Sequence, residues 1–138
     1  MGAWDFGIFD DDTAYEFTDE IINDAEGFFK SSFELAINCD YLEYTACHAV
    51  TVSAAYIDSI LYGTKYRIDT EDEKDESNIN LYKSLNPNIK VEDLKELAIK
   101  ALQKVISKNS ELNELWEENE EYYPKWKENI EAIISRLK

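Results

Sequence analysis

The fold is decided by one stretch, residues 41–62, which reads YLEYTACHAVTVSAAYIDSILY. Its apolar residues would cover nearly every face of a helix, and only Glu43 and Asp58 carry a charge. A helix that is apolar all round is a buried one, because no face of it suits water. Several β-branched residues leave a strand as the alternative, but the length favours a helix that ends at a Tyr62-Gly63 cap. The stretch therefore predicts a central buried helix over residues 41–62.

Amphipathic helices are predicted on both sides of this stretch. Apolar residues recur at three- and four-residue steps from Thr13 to Asn38, with Gly27 as a candidate break between two helices. A second apolar stripe predicts a helix over Val91–Lys108. Ser110 is placed to cap a short helix, and Pro124 fits the first turn of a last one. These surface helices have one apolar face each, which we expect to pack against the central helix.

The remaining segments predict connections rather than further helices. Residues 1–9 are rich in aromatic residues and glycine, and predict an extended N-terminal arm. Residues 64–88 predict an acidic connector that ends in an Asn86-Pro87-Asn88 turn. No internal repeat or sharp change of composition indicates a second domain. The sequence predicts one all-α domain over residues 1–138, a compact bundle of about five to six helices around the helix at 41–62.

The overall charge excludes several classes of partner. The 138 residues include 30 acidic and 14 basic side chains, which gives a net charge of −16. Such a chain is repelled by nucleic-acid phosphates and by anionic lipid. No apolar run approaches the roughly 20 residues that span a bilayer, and the first residues lack the features of a signal peptide. We therefore expect a cytoplasmic protein whose two cysteines, Cys39 and Cys47, are free thiols.

The acidity is concentrated in two segments. Residues 1–40 contain 11 acidic side chains and one basic one, and residues 67–80 contain six and two. Residues 81–138 contain 11 and 10, so the C-terminal part is nearly balanced. A strongly negative segment creates a local field that attracts a basic partner and speeds its capture. The N-terminal segment is therefore the best candidate for a binding surface.

The N-terminal residues also resemble a known family. Met1-Gly2-Ala3-Trp4, followed by Gly7, Phe9, Asp10, Asp12 and Ala14, looks like the M-G-x-W-G-x-G-x-F-x-N-D-x-A start of the bacterial DUF4259 family, although Asp5 and Asp11 depart from that pattern. The resemblance continues at Tyr41-Leu42-Glu43 and at Ser110-Glu111-Leu112, then at Leu115-Trp116 and Trp126. It implies a compact helical domain and no particular activity.

Residues suited to catalysis are few. His48, the only histidine, is adjacent to Cys47, and neighbours on a helix point about 100° apart, so they do not form a catalytic pair. Carboxylates at three- and four-residue spacings could hold Mg²⁺ in a helical nucleotide hydrolase, and two such sets occur: Asp12, Glu16, Asp19 and Glu20, and Glu117, Glu118, Glu120 and Glu121. A chain with 30 acids produces such spacings by chance. We therefore expect no enzyme, catalytic residue, metal or cofactor, and keep the hydrolase as the alternative.

The sequence favours a binding protein. A small, very acidic domain fits an immunity protein, which would occupy the basic active-site cleft of a cognate nuclease toxin and exclude its substrate. An adaptor of unknown role is the remaining possibility, and we expect a monomer or weak dimer. The predicted partner-binding residues are Asp11, Asp12, Tyr15, Glu16, Asp19, Glu20, Asp72 and Glu73.

Overall fold

The computed structural model describes residues 12–66 and 79–138. Over these residues the chain forms six α-helices: α1 Asp12–Asn38, α2 Tyr44–Tyr62, α3 Tyr82–Leu85, α4 Lys95–Val105, α5 Glu111–Glu117 and α6 Tyr123–Leu137. Two 3₁₀ turns, Ile79–Leu81 and Glu92–Leu94, precede α3 and α4. The predicted all-α class is confirmed.

Helix α2 is the centre of the bundle, as its composition predicts. Every residue from Val50 to Ile60 is buried, and α2 contacts all five other helices. Gly63 ends the helix in the left-handed conformation, at φ 69°, and its N–H donates to the carbonyl of Ser59 at 2.9 Å. This is the predicted glycine cap. Apolar side chains from all six helices meet in one core around α2.

The start of α2 differs from the predicted boundary. The helix begins at Tyr44 rather than at residue 41, because Leu42 bonds to the segment before α5. Its N–H donates to the carbonyl of Asn109 at 2.8 Å, and its carbonyl accepts from Glu111 at 2.9 Å. These bonds keep Leu42 out of the helix while its side chain is fully buried. The α1–α2 turn is thereby fixed to α5.

Helix α1 is interrupted at Asp24, and not at Gly27 where the sequence predicted a possible break. Asp24 has φ −156° and ψ 81°, whereas the residues on both sides are helical. Its carboxylate accepts a hydrogen bond from the backbone N–H of Gly27 at 3.2 Å. An extended residue whose side chain accepts from the N–H three positions later is an N-cap. Asp24 is therefore the N-cap of the second half of α1, although the two halves share one helix label.

The predicted connector over residues 64–88 is wrong in its last part. Residues 79–85 form a 3₁₀ turn and then α3, because Ile79 and Tyr82 are buried against the core. The Tyr82 ring meets the Tyr56 ring edge-on, with their centroids 5.2 Å apart. This short helix depends on a tertiary contact rather than on a periodic pattern of its own.

The helices after residue 90 follow the sequence pattern closely. Helix α4 is shorter than the predicted Val91–Lys108, since its first turn is 3₁₀ and it ends at Val105. The side chain of Ser110 caps α5 by accepting from the N–H of Asn113, as predicted. Pro124 lies in the first turn of α6, whose apolar face is buried as expected.

The predicted N-terminal arm, residues 1–9, lies outside the described residues. Within the ranges that the structure describes, no helix is both long and apolar enough to cross a membrane.

Candidate partner-binding surface

Five of the eight predicted binding residues lie in the first half of α1. These are Asp12, Tyr15, Glu16, Asp19 and Glu20, and the backbone there is helical, as their three- and four-residue spacing requires. The other three, Asp11, Asp72 and Glu73, lie outside the described residues.

The acidic side chains at the second half of α1 and just beyond it face solvent. We define the acidic surface as the carboxylates of Glu26, Glu34 and Asp40, all three of which are exposed; Asp24 is also exposed, but its carboxylate caps the second half of α1. Lys30 is the only base among residues 1–40, and it reaches Glu34 at 4.0 Å with both side chains at least half exposed. An ion pair so long and so well solvated neutralises little of the local field.

Tyr41 extends this surface toward α5. Its ring is 43% exposed, and its hydroxyl donates to Glu114 Oε2 at 2.9 Å. Desolvation of the partly covered ring raises the pKa of Tyr41 to about 12, and the Glu114 and Glu111 carboxylates add to the shift. Glu111 in turn accepts from the backbone N–H of Tyr44 at 2.7 Å. Tyrosine is enriched at protein interfaces relative to the rest of the surface, which makes the partly exposed Tyr41 a candidate contact residue.

The turn that presents Tyr41 is held by a lysine. The ammonium group of Lys104, on α4, donates to the carbonyl of Cys39 at 2.9 Å and to that of Asp40 at 3.3 Å. A cation at this position satisfies carbonyls at the C-terminal end of a helix and is favoured by its dipole. The ammonium group of Lys104 therefore stabilises the backbone of the turn between α1 and α2.

Sequence reasoning did not select Tyr41, Glu111 or Glu114 as binding residues. Tyr41 and Glu114 lie 73 positions apart and meet only because Leu42 pairs with Ser110. The sequence pattern contains no signal for this pairing. The sequence favours Tyr15 among the tyrosines, because it lies in the most acidic segment.

Among the described side chains, one carboxylate is buried, and its environment differs from that of the acidic surface. Asp58 on α2 is fully buried, and it accepts from Arg136 Nε at 2.9 Å and from Arg136 Nη2 at 2.8 Å. Its Oδ2 also accepts from the hydroxyl of Tyr66 at 2.6 Å. Burial and the hydrogen bond to Asp58 raise the pKa of Tyr66, and the carboxylate also raises the pKa of Arg136. This network joins α2, α6 and the segment after α2.

The thiols and the histidine have separate surroundings. Cys39 and Cys47 are free, as expected. Cys47 is buried with its sulfur 3.2 Å from Ser110 Oγ, and burial raises its pKa. His48 is also buried and packs edge-on against the ring of Tyr44, with centroids 4.7 Å apart.

The second predicted carboxylate set does not form a compact group. Glu117 accepts from the side-chain amide of Asn113 at 2.9 Å, while Glu118, Glu120 and Glu121 are exposed. Among the side chains that the structure describes, no three from histidine, cysteine or acidic residues converge in a way that could hold a metal ion.

The comparison with family models agrees with the resemblance noted in the sequence. A model described as a domain of unknown function, DUF4259, matches residues 2–129 of the chain. This chain belongs to the DUF4259 family. The comparisons with curated proteins and with solved structures gave no match. Because the description of DUF4259 names no activity, the function of this member has to be argued from its own residues.

Proposed function

We propose that this chain is an acidic binding protein that captures a basic protein and inhibits it. In its specific form, the proposal is an immunity protein that fills the active-site cleft of a cognate nuclease toxin. The observation that carries the proposal is the acidic surface: the described carboxylates of residues 17–40 are exposed and have one lysine among them.

The contrast with Asp58 supports a role outside the fold for these carboxylates. Asp58 is paired with Arg136 and Tyr66 and so stabilises the bundle. Glu34 and Asp40 remain solvated, where neighbouring like charges repel one another and gain nothing from the core. A basic partner would relieve that repulsion, so these carboxylates would stabilise the complex rather than the folded chain alone.

A nuclease is the partner class that fits this field best. Nucleases bind a backbone that carries one negative charge per phosphate, and they line their clefts with lysine and arginine. Carboxylates arranged along a helix can pair with the same basic groups and exclude the substrate. Opposite fields also steer association, which raises rate constants by factors of about 10 to 1,000 at low salt. An inhibitor of a toxic enzyme benefits from fast capture.

Tyr41 gives the surface an apolar contact beside its charges. Its ring is partly exposed and oriented by the hydrogen bond to Glu114. Tyrosine loses little conformational entropy on binding and is enriched among residues that dominate binding energy. We expect Tyr41 to slow dissociation, while the acidic surface speeds association.

The proposal is tested by co-expressing the tagged chain with the protein encoded directly upstream of its gene. The expected result is a complex that weakens as salt is raised, with a basic partner that degrades RNA or DNA alone and loses that activity in the complex. A nucleic-acid fragment should then compete with this chain for the partner. Competition distinguishes occupation of the cleft from binding elsewhere.

Two results would overturn the proposal. One is the absence of any complex at low salt, and the other is a complex whose partner has no nuclease activity. The magnesium-dependent alternative is tested separately, by heating the chain with MgCl₂ and measuring the shift of its unfolding temperature, because a ligand that binds the native state raises that temperature.

A further inference from the structure

The two halves of α1 are two helices that point in different directions. Phe17 and Phe28 are eleven residues apart, and a straight helix would separate their Cα atoms by about 16 Å along the axis. Their ring centroids are only 5.3 Å apart. Two phenylalanine side chains cannot bridge the longer distance, so the first half of α1 folds back at the break.

The break also lets both halves reach the same core. Phe33 is fully buried, and Phe17 packs against the same cluster although it lies sixteen positions earlier. At about 100° per residue, a straight helix would put these two rings about 160° apart, on nearly opposite faces. The change of direction at Asp24 returns Phe17 to the core side.

The break is built from Asp24 and Gly27 together. The Asp24 carboxylate caps the N–H of Gly27 at 3.2 Å. A Cβ added to Gly27 would lie within 2.9 Å of the Asp24 carboxylate carbon, and nearer still to its Oδ2. A side chain at position 27 would therefore require this carboxylate, the end of a flexible side chain, to shift.

We infer that Asp24 is a positioning residue, which sets the direction of the acidic first half of α1 through its cap and not through its charge. The importance of this positioning for binding rests on the proposed function. Asp12, Glu16, Asp19 and Glu20 lie on the half of α1 whose direction Asp24 sets. The partner meets these carboxylates on a helix that is held folded back by the cap and by the contact of Phe17 with Phe28.

Two substitutions separate the cap from the charge. Asp24→Asn removes the charge and keeps an N-cap, since asparagine caps as well as aspartate. Asp24→Ala removes both and favours a continuous helix.

The direction of the half-helix is measured by electron spin resonance between labels at Thr13→Cys and Ser31→Cys, with Cys39→Ser and with Cys47 left in its buried position. We expect one short distance in the parent and in Asp24→Asn. In Asp24→Ala we expect a second population near the Cα separation of a straight helix, about 27 Å. Identical distances in the parent, Asp24→Asn and Asp24→Ala would overturn the inference.

The effect on binding is read from association rate constants with the co-purified partner. Asp24→Ala should associate several-fold more slowly than the parent, and Asp24→Asn at nearly the parent's rate. Equal slowing by Asp24→Asn and Asp24→Ala would assign the effect to charge and would contradict the inference. The distance measurement needs no partner, so failure of the proposed function and failure of the positioning role are distinguishable.

Discussion

Helices α1 and α2 use carboxylates in opposite ways. The buried face of α2 carries Asp58, which has three strong donors from two side chains and no contact with water. Helix α1 carries several carboxylates on its exposed side and a single lysine near them. The same chemical group is part of the scaffold in one helix and is available to a partner in the other. This difference shows that net charge alone does not indicate whether a carboxylate stabilises the fold or is exposed for binding, because burial and pairing decide between the two.

The largest effect should follow from breaking the buried pair. Arg136→Met leaves the Asp58 carboxylate buried with only the Tyr66 hydroxyl as a described partner, and we expect it to cost about 3–5 kcal/mol of folding free energy. Urea unfolding measures this loss. Lys138→Met, in which an exposed cation is removed two residues later, is the matched control and should stay within about 0.5 kcal/mol of the parent. Equal stability of the two variants would show that the pair does not hold the bundle.

A smaller loss is expected at the end of α2. Gly63 has φ 69°, and a Cβ placed there meets no atom within 4 Å, so the cost of Gly63→Ala is conformational only. We expect about 1–2 kcal/mol for Ala and a smaller loss for Gly63→Asn, because asparagine tolerates the left-handed region. The midpoint of urea unfolding should fall with an unchanged slope. An order in which Asn costs more than Ala would contradict this explanation.

The pH dependence of the folding free energy should include a contribution from the titration of Tyr66. Its pKa is raised above the ordinary value near 10 in the folded chain, whereas the unfolded chain has the ordinary value. Above pH of about 10 the unfolded state loses this proton first, so folding stability falls as pH rises. Below that pH, Tyr66 makes its full contribution to the folding free energy. Tyr66→Phe lacks this titration, and its stability should fall less steeply between about pH 9 and 11. Parallel curves for the two proteins would contradict the assignment.

The smallest effect on stability is expected on α1. Glu34→Gln removes an exposed charge whose ion pair with Lys30 is 4.0 Å long, and it should change the folding free energy by less than about 0.5 kcal/mol. Its association with a basic partner should nevertheless be slower at low salt. Thermal unfolding and association kinetics on the same sample test both statements. A large loss of stability would place Glu34 in the scaffold rather than on the acidic surface.

The sequence predicted those features that local chemistry determines. The burial of α2 follows from its composition, and the caps at Gly63 and Ser110 follow from the special roles of these residues at helix ends. The break in α1 was placed near Gly27 because glycine disfavours helices, whereas the residue that breaks the helix is the capping Asp24. Aspartate is common both on helix surfaces and at helix starts, so its role there could not be read from the sequence.

Long-range contacts account for the rest. Asp58 and Arg136 lie 78 positions apart, and Tyr41 and Glu114 lie 73 apart, so neither pair has a local pattern. The turn and helix over residues 79–85 exist because Ile79 and Tyr82 are buried in the core, where Tyr82 packs against Tyr56 of α2. The acidic segment of the candidate site was predicted from charge counting. Its continuation through Tyr41 to α5 required the folded chain.

The most direct test of the central claim compares two variants with the same net charge. One reverses Asp11, Asp12, Glu16, Asp19 and Glu20 to lysine, and the other reverses the exposed Glu118, Glu120, Glu121, Glu128 and Glu131. Association rate constants with the co-purified partner are measured by stopped flow across a range of salt concentrations. The account predicts that the first variant associates at least about tenfold more slowly at low salt and loses most of its salt dependence, while the control changes far less. Equal slowing of both variants would show that only net charge matters, and would contradict a binding surface on α1.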